Sequence, residues 1–400
     1  MNFEKEYSKC SSKKFYFCRT MPNNELLSAF TPVTKAEWLR QIAKDVKGAP
    51  LDTFDWNIDE ELSLSPFVHA EDFSVPPQPL WDTQKGWEID EVIEVTDGVS
   101  AQAQALEALQ GGAEGLQWVY ETPPQASVME QSLEGIHLDY IGVHFDGPGV
   151  RQNPAAIFGL LSRLAKKQNI STKLMHGSVA FNPVRTGSPI IDWRYLIDLL
   201  EFTQDNFGSF HIITVDFSRH ENTAKALADT LRTANTYLTQ MAARGISPEK
   251  AAGALQFVVP IGKRYFLEIS KIRALKLLWL QVLHAWKAPL TYPTVGTYFE
   301  AEAYTDDLYT NMIRSTTMAM SAVMGGADRL SVLPYDSGRS ALASYPASFG
   351  RRIARNVQHL LKMESGLLEV SDPAAGSYYL EKLTTALAEK AWADFTRTEQ

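Results

Sequence analysis

FHIITVDF (210–217), ENTAKALADTLRTANTYLTQMAARG (221–245) and ALQFVVPI (254–261) decide the fold. The first and last are short apolar runs with many β-branched residues, and their length predicts strands. Between them apolar residues recur at helical spacing until Gly245 stops the helix. Strand, helix, strand is the unit of a parallel sheet covered by helices.

The same alternation extends both ways. Upstream, LQWVYE (116–121), IHLDYIGVHF (136–145) and KLMHGSVAF (173–181) read as strands. Downstream, LTYPTVG (290–296), DRLSVLPYD (328–336) and LLEVSDP (367–373) do the same. Helical segments separate them, among them NPAAIFGLLSRLAKKQ (153–168) with its Asn–Pro start signal, and a last helix from about residue 379. Eight such units match an α/β fold of the (β/α)8 TIM-barrel type over 99–400. An open doubly wound sheet is the alternative, but no GxGxxG follows its first strand.

Before the barrel, residues 31–98 read as an extended arm rich in Pro and Trp, including Trp38, Trp56, Trp81 and Trp87. Lys35–Lys47 is a short amphipathic helix within it. Trp38 and Trp56 are candidates for a partner contact; packing on the chain's own barrel is the other possibility. Residues 1–30 read as a disordered tail.

The chain has 400 residues, a net charge of −9 and 45% hydrophobic residues. That excludes a mainly disordered chain or a coiled-coil rod. The mild acidity argues against a nucleic-acid partner. No apolar run is long enough to span a bilayer. Two cysteines, Cys10 and Cys18, cannot staple a chain this long, so a reducing, cytoplasmic setting is expected.

In a barrel, chemistry sits where strands end and helices begin. The polar residues at those junctions are His144, Asp146, His176, Asn182, Asp216, Arg219, His220, Tyr298, Asp336 and Asp372. His144 and Asp146 with His176 and Asp216 could form a metal or acid–base site. Helix capping by the same residues is the plainer reading, and no HExxH or CxxC supports a metal. No metal site is assigned. Walker A, GxSxG and EF-hand patterns are absent.

FLEISKIRALKLLW (266–279) and FGRRIARNVQHLLKMESGLLEVSDPAAGSYYLEKLT (349–384) closely resemble segments of the methylmalonyl-CoA mutase barrel. Weaker similarity extends back to about Lys35. The resemblance implies a barrel that holds an acyl-CoA and interconverts methylmalonyl-CoA and succinyl-CoA with adenosylcobalamin, the cofactor sitting in a separate flavodoxin-like domain. It also implies an axis lined by small polar residues, through which the CoA arm passes.

Several positions depart from the active pattern. Val92 stands where active chains carry a Tyr after the W-x-I element, here Trp87-Glu88-Ile89. Where active chains carry a Tyr–His pair, an ungapped match places Ser218 and Arg219 and a two-residue gap places Asp216 and Phe217, neither being Tyr–His; Tyr298 stands in place of a Gln. Arg194 aligns with the Arg that pairs with the substrate carboxylate. No DxHxxG occurs, so a cobalamin-binding domain is not expected in these residues. The resemblance therefore implies the small, or beta, subunit: a non-catalytic pseudoenzyme in a heterodimer with a catalytic large subunit. Adenosylcobalamin would be bound by the partner and not by this chain. The alternatives are a barrel that binds acyl-CoA with a rearranged but active site, and a binding module outside the complex. Large side chains at Phe145, Met175, Phe181, Phe217, Phe257 and Tyr298 are expected to plug the barrel axis.

Overall fold

The computed structural model describes residues 31–81, 86–185 and 191–398; the tail expected at 1–30 lies outside them. The barrel has eight staves: β1 Glu88–Glu94, β2 Gly115–Val119, β3 Gly142–Asp146, β4 His176–Val179, β5 Ser209–Asp216, β6 Leu255–Ile261, β7 Thr294–Phe299 and β8 Arg329–Ser331. Every neighbouring pair is parallel.

Stave β5 is broken at Ile212. Its lower part, Ser209–His211, pairs with β4, and its upper part, Ile213–Asp216, pairs with β6. At the break, the N–H groups of Ile212 and Ile213 both donate to the Ala254 carbonyl. This is a bulge, which bends a strand locally. Thr214 N–H then donates to Phe181 O beyond β4, which closes the ring.

The strand frame differs from the expected one by one unit. Glu88–Glu94 is the first stave, inside the stretch read as arm. Its sequence, EIDEVIE, looks solvated: Glu88, Asp90 and Glu94 share the lumen face, and Glu91 on the other face pairs with Arg355 of the helix Ala347–His359. Leu367–Pro373, expected as the eighth strand, forms turns and bends. Asp372 there has φ 43°, a left-handed conformation that strands do not use. Its Oδ2 accepts from Leu80 N–H at 2.8 Å.

Alternation along the staves sends apolar residues outward onto the helices. Trp118 and Phe145 stack with centroids 5.7 Å apart, and Phe257 meets Trp279 edge-on at 5.2 Å. Of the large side chains expected on the axis, Phe257 serves the outer core and Phe217 lies under the Lys271 ammonium, while Phe145 and Tyr298 border the lumen cavity. Polar residues also face the lumen. Among the described residues no helix is long and apolar enough to cross a membrane.

The arm packs on the chain itself. Trp56 stacks on Tyr379 at 6.1 Å and lies under the Arg264 guanidinium at 5.4 Å. Trp38 meets Phe67 and His69, also within the arm. Trp56 thus packs on the chain's own barrel, the other possibility weighed for it, with part of the ring left in solvent. Trp56→Ala should lower the unfolding free energy by about 2 kcal/mol, less than a fully buried Trp because the ring is only half covered. Urea denaturation checks this; an unchanged midpoint would mean that the stack contributes nothing.

Candidate functional site

Glu88, His176 and Arg329 are the first residues of β1, β4 and β8. They therefore sit at the N-terminal end of the barrel and, with Asp90 and His144 just above, fill its lower lumen. Two glycines make room for this. A Cβ on Gly115 or Gly142 would collide with the Glu88 carboxylate. The absent side chains on β2 and β3 let Glu88 reach across to β3.

His144 bridges two staves. Its Nε2 lies 2.7 Å from Glu88 Oε1 and its Nδ1 2.8 Å from Ser178 Oγ on β4. His176 Nε2 is 3.6 Å from the other Glu88 oxygen. Asp90 Oδ2 accepts from Ser331 Oγ at 2.7 Å and Arg329 Nη1 at 3.3 Å. Arg329 also donates to Gln117 Oε1 at 3.1 Å. Asp90 Oδ1 is buried without a hydrogen-bond partner.

Burial acts against both carboxylates, but their surroundings differ. For Glu88 burial raises the pKa, yet the charge and hydrogen bond of His144, aided by His176 and Arg329, hold it well below the usual range. For Asp90 burial wins over Arg329 and the pKa is raised. His211, in register with Ser178 on β5, is pushed down to about 4 by burial and stays neutral.

Above this floor a cavity of about 640 Å³ opens toward the C-terminal ends of the staves. Val92 and Tyr298 line it, with Asp146, Arg151, Asp216 and Arg351. Arg151 donates to Asp146 at 2.9 Å, and Asp216 accepts from Asn182 at 3.4 Å and lies 3.9 Å from Arg185. Arg219 lies beside Tyr298. Ser218 follows β5, with its N–H on Thr230 Oγ1 at 3.0 Å.

The structure brings only some of the candidate residues together. His144 and His176 meet, but at Glu88 and not at Asp146 or Asp216. Asp146 lies two residues further up β3, roughly 7 Å toward the mouth. His220 is tied to Asp229 at 2.6 Å. Arg194 is exposed in the first turn of the helix Trp193–Asn206, outside the cavity lining. Asp372 is far from the lumen groups, buried against Arg273. Asp336 is buried and lines the cavity. Glu88, Asp90 and Arg329 were missed. For Glu88 and Asp90 the signal was the alternation of EIDEVIE, legible only once that stretch is known to be a stave; Arg329 lies in the stretch 328–336 already read as a strand.

A family model described as methylmalonyl-CoA mutase matches residues 124–400. The methylmalonyl-CoA mutase small subunit of Porphyromonas gingivalis is 28% identical over 405 residues, covering 94% of this chain and 64% of that protein. The small subunit from Streptomyces virginiae is 28% identical over 414 residues, covering 94% of this chain and 65% of that one. A methylmalonyl-CoA mutase large subunit from Propionibacterium freudenreichii subsp. shermanii is 24% identical over 387 residues, covering 86% of this chain and 51% of that protein. The chain thus spans less than two thirds of the length of each of these relatives.

Proposed function

The chain belongs to the methylmalonyl-CoA mutase family, and from that premise we propose that it is the barrel part of a small subunit, itself non-catalytic, that supports a catalytic large subunit in a heterodimer. The complex interconverts methylmalonyl-CoA and succinyl-CoA, and the large subunit carries the adenosylcobalamin and the acyl-CoA. Relatives named small subunits over 94% of the chain support this.

The observation that carries the reading is the filled lower lumen. The family resemblance implies an acyl-CoA arm running along an axis of small polar residues. Here Glu88, His144, Asp90 and Arg329 stand on that axis, tied to one another. Threading an arm through would break buried ion pairs without replacing them, which is costly. The substitutions at Val92, Ser218, Arg219 and Tyr298 take away the Tyr, the Tyr–His pair and the Gln that the resemblance implies for an active barrel.

The chain's own residues do not fit the cofactor either. Adenosylcobalamin would supply the radical that starts the rearrangement. The family's lower cobalt ligand is the His of DxHxxG, a pattern this sequence lacks. The strand-end His220 is held by Asp229. No step of the reaction is assigned to this chain. Its role is to hold a catalytic homologue in place, in a reducing compartment such as the cytoplasm.

The test is to purify the chain, mix it with a candidate large subunit, and measure co-elution and mutase turnover. The expected result is a 1:1 complex, no turnover by this chain alone, and turnover by the mixture. Turnover by this chain with cobalamin, without the large subunit, would favour the rearranged active site and overturn the proposal.

A further inference from the structure

We propose that the lower lumen holds a divalent transition-metal ion of the zinc type, ligated by Glu88, Asp90, His144 and His176. Among the described residues, ligand atoms of Glu88, Asp90 and His144 all lie within 4.8 Å of one another. His176 Nε2 lies 3.6 Å from Glu88 Oε2 but outside that group, and it would supply the fourth donor by turning toward the ion.

Two further observations point to an ion and not only to an ion-pair network. Asp90 is 2% exposed, yet its Oδ1 has no hydrogen-bond partner. A buried carboxylate oxygen left without one is costly, and a cation would satisfy it. His144 is also oriented as metal-bound imidazoles usually are. One ring nitrogen, Nε2, points at the carboxylate cluster, and the other, Nδ1, is fixed by Ser178 Oγ at 2.8 Å. An outer oxygen that fixes the ring in this way is the common second-shell arrangement of such ligands.

Charge and donor type select the ion. Arg329 lies on the Oδ2 side of Asp90 and offsets one of the two carboxylates. Two imidazoles with two carboxylates suit zinc, cobalt or nickel. Calcium and magnesium favour all-oxygen donor sets, whereas half of the donors here are imidazole nitrogens. Because the donors come from β1, β3 and β4, the ion would tie three staves together at the barrel's N-terminal end. It would act as a structural ion, away from the cavity mouth.

The experiment uses the full chain, stripped with chelator, dialysed against Co²⁺ or Zn²⁺, and assayed for bound metal and for cobalt d–d absorbance. One ion per chain and a Tm raised by Zn²⁺ but not by Ca²⁺ are expected. His144→Ala and Glu88→Gln should each weaken binding roughly tenfold or more. Should those variants not fold, His176→Ala serves instead. His176 is half-exposed, so its removal spares the core, and it should weaken Co²⁺ binding and shift the cobalt bands. His220→Ala, remote from the lumen, should bind as the parent does. Absence of saturable binding by the parent overturns the proposal. So does binding that survives His144→Ala, Glu88→Gln and His176→Ala unchanged, which would place the ion elsewhere.

Discussion

Replacing Arg273 by Met lowers the unfolding free energy by about 3–5 kcal/mol at neutral pH. Arg273 sits on the helix Tyr265–Ala285, which is buried on nearly every face, and is itself 0% exposed. Its guanidinium binds Asp372, also fully buried, and donates to Glu381 Oε1 at 2.8 Å. The Trp81 ring covers it, centroid 5.7 Å away. One cation thus fastens the barrel helix to the turn at Asp372 and to the helix Tyr378–Thr398. Removing it leaves two carboxylates in the interior, and that uncompensated charge is the main cost. Burial already raises both carboxyl pKa values, against the pull of Arg273. A carboxyl whose folded pKa is raised binds more protons folded than unfolded, so its contribution to stability grows as pH falls. The deficit of Arg273→Met should therefore narrow from pH 8 to pH 5. Adding Asp372→Asn and Glu381→Gln should recover much of the loss at neutral pH. Urea titrations at several pH values decide it. A deficit below about 1 kcal/mol would show that the triad is not the fastening argued for.

The sequence exposed the alternation of the fold because apolar strands facing helices leave long periodic runs, as in ALQFVVPI and the helix that follows. The segment 349–384 carried enough ordered residues to point to the family. The frame was misplaced because two stretches hide their roles. EIDEVIE is a barrel stave whose polarity belongs to the lumen and, at Glu91, to the ion pair with Arg355. LLEVSDP looks like a strand, but its Asp372 serves a turn and an ion pair. The candidate site was legible in half: His144 and His176 stood out as strand histidines. Their partner Glu88 lies 56 residues before His144, and the pairing depends on barrel closure and on the empty space over Gly115 and Gly142. No local pattern encodes that.

Arg329→Met is the second large effect, expected at about 3 kcal/mol or more. Arg329 reaches Asp90 on β1 and Gln117 on β2, while its backbone N–H and C=O groups belong to β8. Its loss breaks a link between staves and leaves the Asp90 side chain, fully buried, with only Ser331. The pH response separates the two carboxylates of the floor. Asp90 has a raised pKa, so its share of the deficit is present at pH 7–8 and fades as acid protonates it. Glu88 has a depressed pKa, so its contribution is present above the unfolded value of about 4.3 and is lost as pH falls below it. The parent should therefore lose stability below about pH 4, while the gap between parent and variant closes between pH 8 and 5. Asp90→Asn in the Arg329→Met background should restore part of the loss at pH 7, because a neutral amide needs no counter-charge. The measurement is the urea midpoint of the parent and both variants across that range. A gap that widens on acidification would show that Asp90 is not the group Arg329 compensates, and the floor of the barrel would then need a different account of its charges.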